Sequence, residues 1–169
     1  KKTGRVLMEA FHYRYHPLAS RMKEIVDSGV LGKLRHIEAH FCTTLLRRHN
    51  IRYDYALAGG AMMDMGCYTV NQLRYLVGAE PEVVSAKAKL MAPQIDRWME
   101  AQLRFANGCT ARMTVSFFSM ALFRIVTIVQ GERGVLRVVN PIPSVRWSTG
   151  LPNGCATRHS LTQTRASIS

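Results

Sequence analysis

The sequence lacks several features that would assign it to a class at once. It has no apolar run near the ~20 residues that a membrane-spanning helix needs, and no G-x-G-x-x-G or Walker phosphate loop. Its four cysteines are far apart, with no C-x-x-C pair and no metal-ligand spacing to histidine. These absences argue against a membrane span and a metal site. They also predict reduced cysteines in a cytoplasmic protein.

Acidic residues are scarce: 11 Asp and Glu stand against 23 Lys and Arg, for a net charge of +12. The excess is spread out, since residues 1–60 hold 11 basic and 5 acidic side chains, residues 61–120 hold 6 and 5, and residues 121–169 hold 6 and 1. A nucleic-acid-binding protein usually concentrates its charge on one face. The pattern favours a protein that binds no nucleic acid, with a basic nucleic-acid binder as the weaker alternative.

The 169 residues, 47% of them hydrophobic, are enough for one domain with a packed core. Residues 5–11 predict a buried strand, and residues 17–28 predict a helix that begins at a proline and stops at a glycine. Period-two alternation predicts a strand over 34–44. Residues 45–58 predict a polar loop, and residues 61–77 predict a helix that ends at Gly78.

Most of the remaining sequence predicts strands. Alternating apolar and polar residues indicate strands at 84–90, 99–105 and 111–117, the last two joined by a turn at Asn107-Gly108. A further hairpin is predicted over 124–139. Strands with one apolar and one polar face indicate an α+β domain, with an open, predominantly antiparallel sheet and helices packed on one face.

We expect this domain to span residues 1–146. Residues 147–169 are rich in Ser, Thr, Arg and Gly and have no apolar period. They predict an atypical tail that is either disordered or a product of how the chain was made.

One stripe of the predicted 61–77 helix carries side chains suited to chemistry. At about 100° per residue, Asp64, Tyr68, Asn71 and Tyr75 share this stripe. Asp64 and Tyr68 are four residues apart and therefore neighbours, and a tyrosine beside a carboxylate can exchange a proton with a substrate oxygen. The alternative is an Asp favoured by the helix dipole above a half-buried tyrosine. Spacing alone favours this structural alternative.

Two other polar groups are candidates for substrate binding. His12, Arg14 and His16 follow the end of the first predicted strand, where binding residues often lie. An exposed basic turn is an equally good explanation. Arginines of the 45–58 loop suit an anionic or polyhydroxylated substrate, although arginine on a solvated loop is the commoner case. These are Arg47, Arg48 and Arg52.

Two motifs together resemble those of the Gfo/Idh/MocA oxidoreductases. Residues 8–17 (MEAFHYRYHP) resemble the segment that leaves the nucleotide domain of that family. Residues 52–68, which contain Gly59-Gly60 and the run Asp64-Met65-Gly66-Cys67-Tyr68, resemble its glycine-rich Asp-x-Gly-x-Tyr/His motif. The resemblance extends from about residue 1 to residue 143. Its tyrosine form is similar to glucose-fructose oxidoreductase and dihydrodiol dehydrogenase.

The resemblance implies reversible hydride transfer between NAD or NADP and a sugar, polyol or related hydroxy or keto compound. It places Tyr68 as the proton donor or acceptor and Asp64 as the residue that orients the substrate or tunes Tyr68. It also implies a substrate pocket lined by His12, Arg14, Arg52 and Tyr53. The family has an N-terminal Rossmann domain that binds the cofactor, and its C-terminal sheet often forms the subunit interface.

The sequence also departs from the family pattern. The family's glycine-rich nucleotide loop and its Glu-Lys-Pro motif are both missing here. We therefore expect a truncated chain that binds no cofactor and is inactive by itself. The non-enzymatic alternative is a module that forms a homodimer or higher oligomer through its exposed sheet face.

Overall fold

A computed structural model describes residues 3–45, 50–92, 94–118, 123–142 and 166–168. Some sequence predictions lie outside the described residues. They concern Arg47, Arg48, Cys155 and residues 147–165.

Two α-helices occur where the sequence predicts them. Helix α1 spans Pro17–Asp27, and helix α2 spans Cys67–Val77. Proline suits the first turn of α1 because its φ is fixed near the helical value. The Nδ1 atom of His16 caps this turn by accepting a hydrogen bond from the Leu18 N–H at 3.2 Å. Neither helix in the described chain is long and apolar enough to cross a bilayer.

Shorter helical turns precede both helices. Residues His12–Tyr15 form a 3-10 turn that leads into α1. Residues Ile51–Tyr53 and Tyr55–Leu57 form two more, in the segment predicted as a polar loop. A π-helical turn over Met62–Gly66 runs directly into α2. Residues 61–77 are therefore one continuous helix, which we call the site helix.

The strands form one sheet in the order β2-β3-β4-β1-β5-β6-β7. Strand β1 pairs in parallel with β4, and every other pairing is antiparallel. This confirms the predicted α+β class with an open, predominantly antiparallel sheet. The strands are β1 (Leu34–Thr43), β2 (Pro81–Ala92), β3 (Ile95–Phe105), β4 (Thr110–Ser116), β5 (Phe123–Gly131), β6 (Val135–Val139) and β7 (Ala166–Ile168).

The core lies between the sheet and the two helices. As the alternation predicts, the apolar residues of β1, β3 and β4 point toward the helices and are buried. The opposite side of the sheet, which we call the outer face, carries the polar residues of the same strands. Its residues include His36, Glu38, His40, Glu100, Arg112, Thr114, Val126 and Ile128.

Two strand predictions need correction. Residues 5–11 are not a buried strand: they pair with no described strand, and Val6 and Leu7 are 95% and 99% exposed. An apolar run forms a strand only when a neighbouring strand takes up its backbone hydrogen bonds. Strand β2 is present, but it lies at the sheet edge and is exposed on both sides, including its apolar Val84 and Leu90.

The buried side of the site helix is not entirely apolar. The most buried positions of α2 are Thr69, Gln72, Leu73 and Leu76, whereas Val70 is only partly buried. The two polar residues can be buried because both have hydrogen-bond partners. The Thr69 hydroxyl donates to the Gly66 carbonyl at 2.9 Å, and Gln72 Oε1 accepts from the Thr127 hydroxyl at 2.7 Å.

Candidate active site

The double glycine before the site helix lets the chain fold back tightly on itself. The Gly59 N–H donates to the Asp54 carbonyl at 2.8 Å, and the Gly60 N–H donates to the Arg52 carbonyl at 2.9 Å. A Cβ atom at Gly59 would lie 2.6 Å from the Arg52 carbonyl oxygen, too close for any side chain. This turn brings Arg52 against the first turn of the helix, where Asp64 lies.

A carboxylate from β3 holds the start of the site helix. Asp96, almost fully buried, accepts a hydrogen bond from the Met62 N–H at 2.9 Å and lies against Gly60. Gly60 has φ +117°, and a Cβ there would collide with the Asp96 carboxylate. A carboxylate at this position satisfies a free N–H and matches the positive end of the helix dipole. Sequence reasoning missed Asp96 because it is 34 residues from Met62, and only the glycine hinted at such a close approach.

Asp64 and Arg52, two predicted site residues, form an ion pair. The Arg52 Nε donates to Asp64 Oδ2 at 2.7 Å, and both side chains are partly exposed. The Asn50 side chain accepts from the Arg52 backbone N–H at 3.1 Å and supports the same turn. The pair therefore presents a carboxylate and a guanidinium at one edge of the site, where both can hydrogen-bond to a hydroxylated ligand.

Tyr68 lies one turn further along, with its ring among four other aromatic rings. The ring centroids of Phe11 and His12 lie 5.5 and 5.9 Å from that of Tyr68, and those of Tyr13 and Phe41 both lie at 6.3 Å. Edge-to-face contacts at such distances hold a ring in one orientation. The Tyr68 hydroxyl donates to no residue that the structure describes, so it is available to a ligand.

Burial raises the pKa of Tyr68 above its usual value, and the nearby Cys67 and Asp64 raise it further, while Arg52 opposes them. At neutral pH the phenol is therefore protonated and acts as a hydrogen-bond donor. No hydrogen bond joins Asp64 to Tyr68 within the described residues. The predicted carboxylate–phenol pair is thus coupled electrostatically, since Asp64 raises the pKa of Tyr68.

Of the other three residues predicted to bind substrate, only His12 lies against the Tyr68 ring. The Tyr53 hydroxyl donates to the Leu45 carbonyl at 2.9 Å, and its ring packs edge-on against Phe117. Arg14 stacks over the Tyr75 ring at 4.9 Å, two helical turns from Tyr68. His12 is brought beside Tyr68, whereas Arg14 and Tyr53 are not. Arg14 lines a separate open cavity of about 310 Å³ with Asn71, Arg74, Tyr75, Gly78, Ala79 and Glu80.

The described residues form no group of three or more His, Cys, Asp or Glu placed to hold a metal ion. Of the cysteines, Cys42, Cys67 and Cys109 are free. The described side chains that the site offers to a ligand include the Tyr68 phenol, the Asp64 carboxylate and the Arg52 guanidinium.

The family model of the GFO/IDH/MocA C-terminal domain matches residues 19–137. The chain belongs to this family, as its motifs predict.

Known relatives agree with this assignment. The chain is 38% identical over 115 residues to D-xylose 1-dehydrogenase (NADP(+)) 2 of Haloferax volcanii, covering 68% of this chain and 35% of that protein. It is 28% identical to trans-1,2-dihydrobenzene-1,2-diol dehydrogenase of Bos taurus, covering 83% and 42%. The crystal structure of aldose-aldose oxidoreductase from Caulobacter crescentus, complexed with glycerol, matches with a TM-score of 0.74 and 28% identity, covering 82% and 42%. The chain spans less than half the length of each of these proteins.

Proposed function

We propose that this chain is the substrate-side half of an NAD- or NADP-dependent oxidoreductase of sugars, polyols or related hydroxy and keto compounds. The observation that carries this proposal is Tyr68. Its ring is held by four aromatic neighbours, its hydroxyl is available, and the Asp64–Arg52 pair lies one turn away. Relatives named as a xylose dehydrogenase and a dihydrodiol dehydrogenase support the same substrate class.

The described residues do not fit a dinucleotide by themselves. They contain no glycine-rich loop between a strand and a helix, the arrangement that places a helix N-terminus against a pyrophosphate. The start of the site helix is already taken by Asp96, which would repel a phosphate. In the proposal, a nucleotide-binding domain holds the cofactor, which supplies the hydride acceptor or donor when bound. The exposed apolar side chains of Val6, Leu7 and Met8 suit packing against such a domain.

The residues of this chain would bind, orient and handle a proton. Arg52 and Asp64 offer a donor and an acceptor to neighbouring substrate hydroxyls, while Tyr68 hydrogen-bonds to the reacting oxygen. In the reducing direction the phenol would give its proton to the oxygen of the carbonyl whose carbon takes the hydride, and would be left as a phenolate. In the oxidising direction that phenolate would take the proton of the alcohol whose carbon gives up the hydride. Because burial raises the pKa of Tyr68, the phenol is protonated at neutral pH, which is the form required in the reducing direction.

The test is a pair of Tyr→Phe variants in the enzyme that contains this chain and a nucleotide-binding domain. With D-xylose and NADP as probes, we expect Tyr68→Phe to lower kcat/KM by about 100-fold or more, since proton transfer is lost. Tyr55→Phe is the matched control, because Tyr55 is 60% exposed on a 3-10 turn and its hydroxyl bonds to no described residue. Equal activity of the two variants would reject Tyr68 as the proton-transfer residue.

A second candidate function is self-association through the outer face. Neither helix covers the outer face, and on it the Ile128 side chain is partly exposed, between Glu38 and Arg137 in the strand register. Ile128 therefore offers an apolar area with a side chain of each charge beside it. A second copy of the chain would bury this area against its own equivalent, as in a symmetric dimer.

Sedimentation of the 169-residue chain tests this candidate. We expect a dimer that Ile128→Glu converts to a monomer, because a charge would be buried in the interface. Val30→Glu is the control, since Val30 is 53% exposed in the turn after α1 and lies away from the outer face. A chain that is monomeric at every concentration tested would exclude self-association.

A further inference from the structure

Tyr13 is fully buried, yet it carries a hydroxyl that must be satisfied. This hydroxyl donates to the Asn71 side-chain oxygen at 2.5 Å. Asn71 lies on α2 three residues after Tyr68, and the two share the same stripe of the helix. The bond therefore ties the 3-10 turn at residues 12–15 to the helix that carries the proposed proton-transfer residue.

The placement of this bond matters because of what precedes Tyr13 in the chain. Phe11 and His12, which contact the Tyr68 ring edge-on, are the two residues immediately before it. The Tyr13 ring itself lies 6.3 Å from that of Tyr68. Three of the four described rings around Tyr68 therefore belong to the short segment that the Tyr13–Asn71 hydrogen bond holds. The fourth ring, that of Phe41, is held in β1 by the pairing of that strand with β4 and β5.

A purely packing role would not need the hydroxyl, since phenylalanine would fill the same space. The hydroxyl bonds to a side chain of α2 instead of a nearby carbonyl. It therefore fixes the distance between the 3-10 turn at residues 12–15 and α2. Burial also raises the pKa of Tyr13, which keeps the phenol a donor under any ordinary assay condition. Both features suit a fixed link.

We propose that Tyr13 is a positioning residue, whose hydrogen bond to Asn71 sets the 11–13 rings against Tyr68 and so aims the Tyr68 hydroxyl at the substrate. This rests on the proposed function of Tyr68. Small displacements of a reacting group are costly, since about 1 Å can change a rate 100-fold.

The first test needs no cofactor or substrate. In the 169-residue chain with labelled tyrosine, the ring signals of Tyr68 are shifted by the edge-on aromatic neighbours and are assigned with Tyr68→Phe. We expect Tyr13→Phe to move these signals toward those of a solvent-exposed tyrosine. Tyr15→Phe is the control, because Tyr15 is 71% exposed and, among the described residues, its hydroxyl bonds only to the Met8 sulfur. Unmoved Tyr68 signals in Tyr13→Phe would overturn the proposal.

The second test separates positioning from stability. In the active enzyme we expect Tyr13→Phe to lower kcat about tenfold with little change in KM. In the Tyr68→Phe background the same substitution should have no further effect, because it acts through Tyr68. An equal loss in both backgrounds would mean a merely structural role and would refute the proposal.

Substitutions at Asn71 approach the same link from the other side, in case Tyr13→Phe folds poorly. Asn71→Leu removes the acceptor and should reproduce the effects of Tyr13→Phe, whereas Asn71→Asp retains an acceptor oxygen and should restore the Tyr68 signals. If Asn71→Leu leaves the signals and kcat unchanged, the link has no positioning role. A fully active Tyr68→Phe would instead defeat the proposed function, a result distinguishable from unmoved ring signals.

Discussion

The two sides of the sheet are built on different physical principles. On the helix side, the site is shaped by backbone geometry and packing: a glycine turn, a buried capping carboxylate and a set of aromatic rings. On the outer face, the strands carry a ladder of charges, in which the Glu38 carboxylate pairs with His40 Nε2 at 2.8 Å and Arg112 pairs with Glu100. On the helix side, the effect of a substitution on stability should therefore depend mainly on the space that the new side chain needs. On the outer face it should depend mainly on pH and salt concentration.

The largest expected effect is at the entry to the site helix. Gly60→Ala forces a side chain into φ +117° and against the Asp96 carboxylate. We expect a loss of about 3 kcal/mol in the free energy of unfolding, the sum of backbone strain and a displaced cap. Urea denaturation measures it. Gly29→Ala is the control, because Gly29 has φ +70° but nothing near its Cβ position, and it should cost about 1 kcal/mol. Equal losses of unfolding free energy in the two variants would show that the contact with Asp96 adds nothing to the cost at Gly60.

The cap itself should have the next largest effect. Asp96→Ala leaves the Met62 N–H without its partner and should cost about 1–2 kcal/mol. Asp96→Asn keeps an acceptor oxygen and should cost less. Thermal denaturation of both variants distinguishes a hydrogen-bonding role from simple filling of space. If the Asn variant is as unstable as the Ala variant, the cap depends on charge alone.

On the outer face we expect a dependence on pH. Burial lowers the pKa of His40, against the opposing hydrogen bond to Glu38, and the nearby Arg124 and Arg112 lower it further. The unfolded chain therefore takes up this proton first, and the folded state loses stability as the pH falls below the unfolded value of 6.5. His40→Gln should flatten the curve of unfolding free energy from about pH 7 to about pH 5. An unchanged slope would contradict this account.

The His40 hydrogen bond also lowers the pKa of Glu38, with His36 and Arg112 adding to the effect. A lowered carboxyl pKa stabilises the fold above the unfolded value of 4.5 and loses that contribution as the pH falls through the folded value. Glu38→Gln should therefore remove part of the remaining acid sensitivity, below the range in which His40 acts. The same unfolding measurements, extended to lower pH, check this.

The smallest effect should come from exposed ion pairs. Arg35 pairs with Glu132, and both side chains are well exposed. Glu132→Gln should cost about 0.5 kcal/mol or less and lose even that at high salt. If this substitution rivals Asp96→Ala, exposed ion pairs contribute more to stability than this account allows.

Much of this fold follows from local pattern. Period-two alternation located β1, β3 and β4 because each has one face on the core. Asn107-Gly108 located the hairpin between β3 and β4 because Gly108 adopts φ +84°. The pattern failed where burial depends on distant partners. Val6 and Leu7 are apolar but have no described neighbouring strand, and Gln72 is buried only because Thr127 meets it.

The sequence predicted the polar residues of the candidate site but not the aromatic rings around Tyr68. Helical spacing and the family motif brought together Asp64, Tyr68 and, through the glycine turn, Arg52. The aromatic surroundings of Tyr68 could not be predicted, since Phe41 comes from a strand and Tyr13 from a turn far away in sequence. Arg14, which the motif assigns to the substrate pocket, stacks on Tyr75, and its role in binding stays a prediction.

A structure of this chain together with a nucleotide-binding domain, NADP and a bound sugar tests the proposed function most directly. The account predicts the Tyr68 hydroxyl oxygen within about 3 Å of the oxygen that gains or loses the proton, with the Asp64–Arg52 pair on neighbouring hydroxyls. A sugar bound beside Arg14 and Tyr75, with no contact to Tyr68, would contradict it.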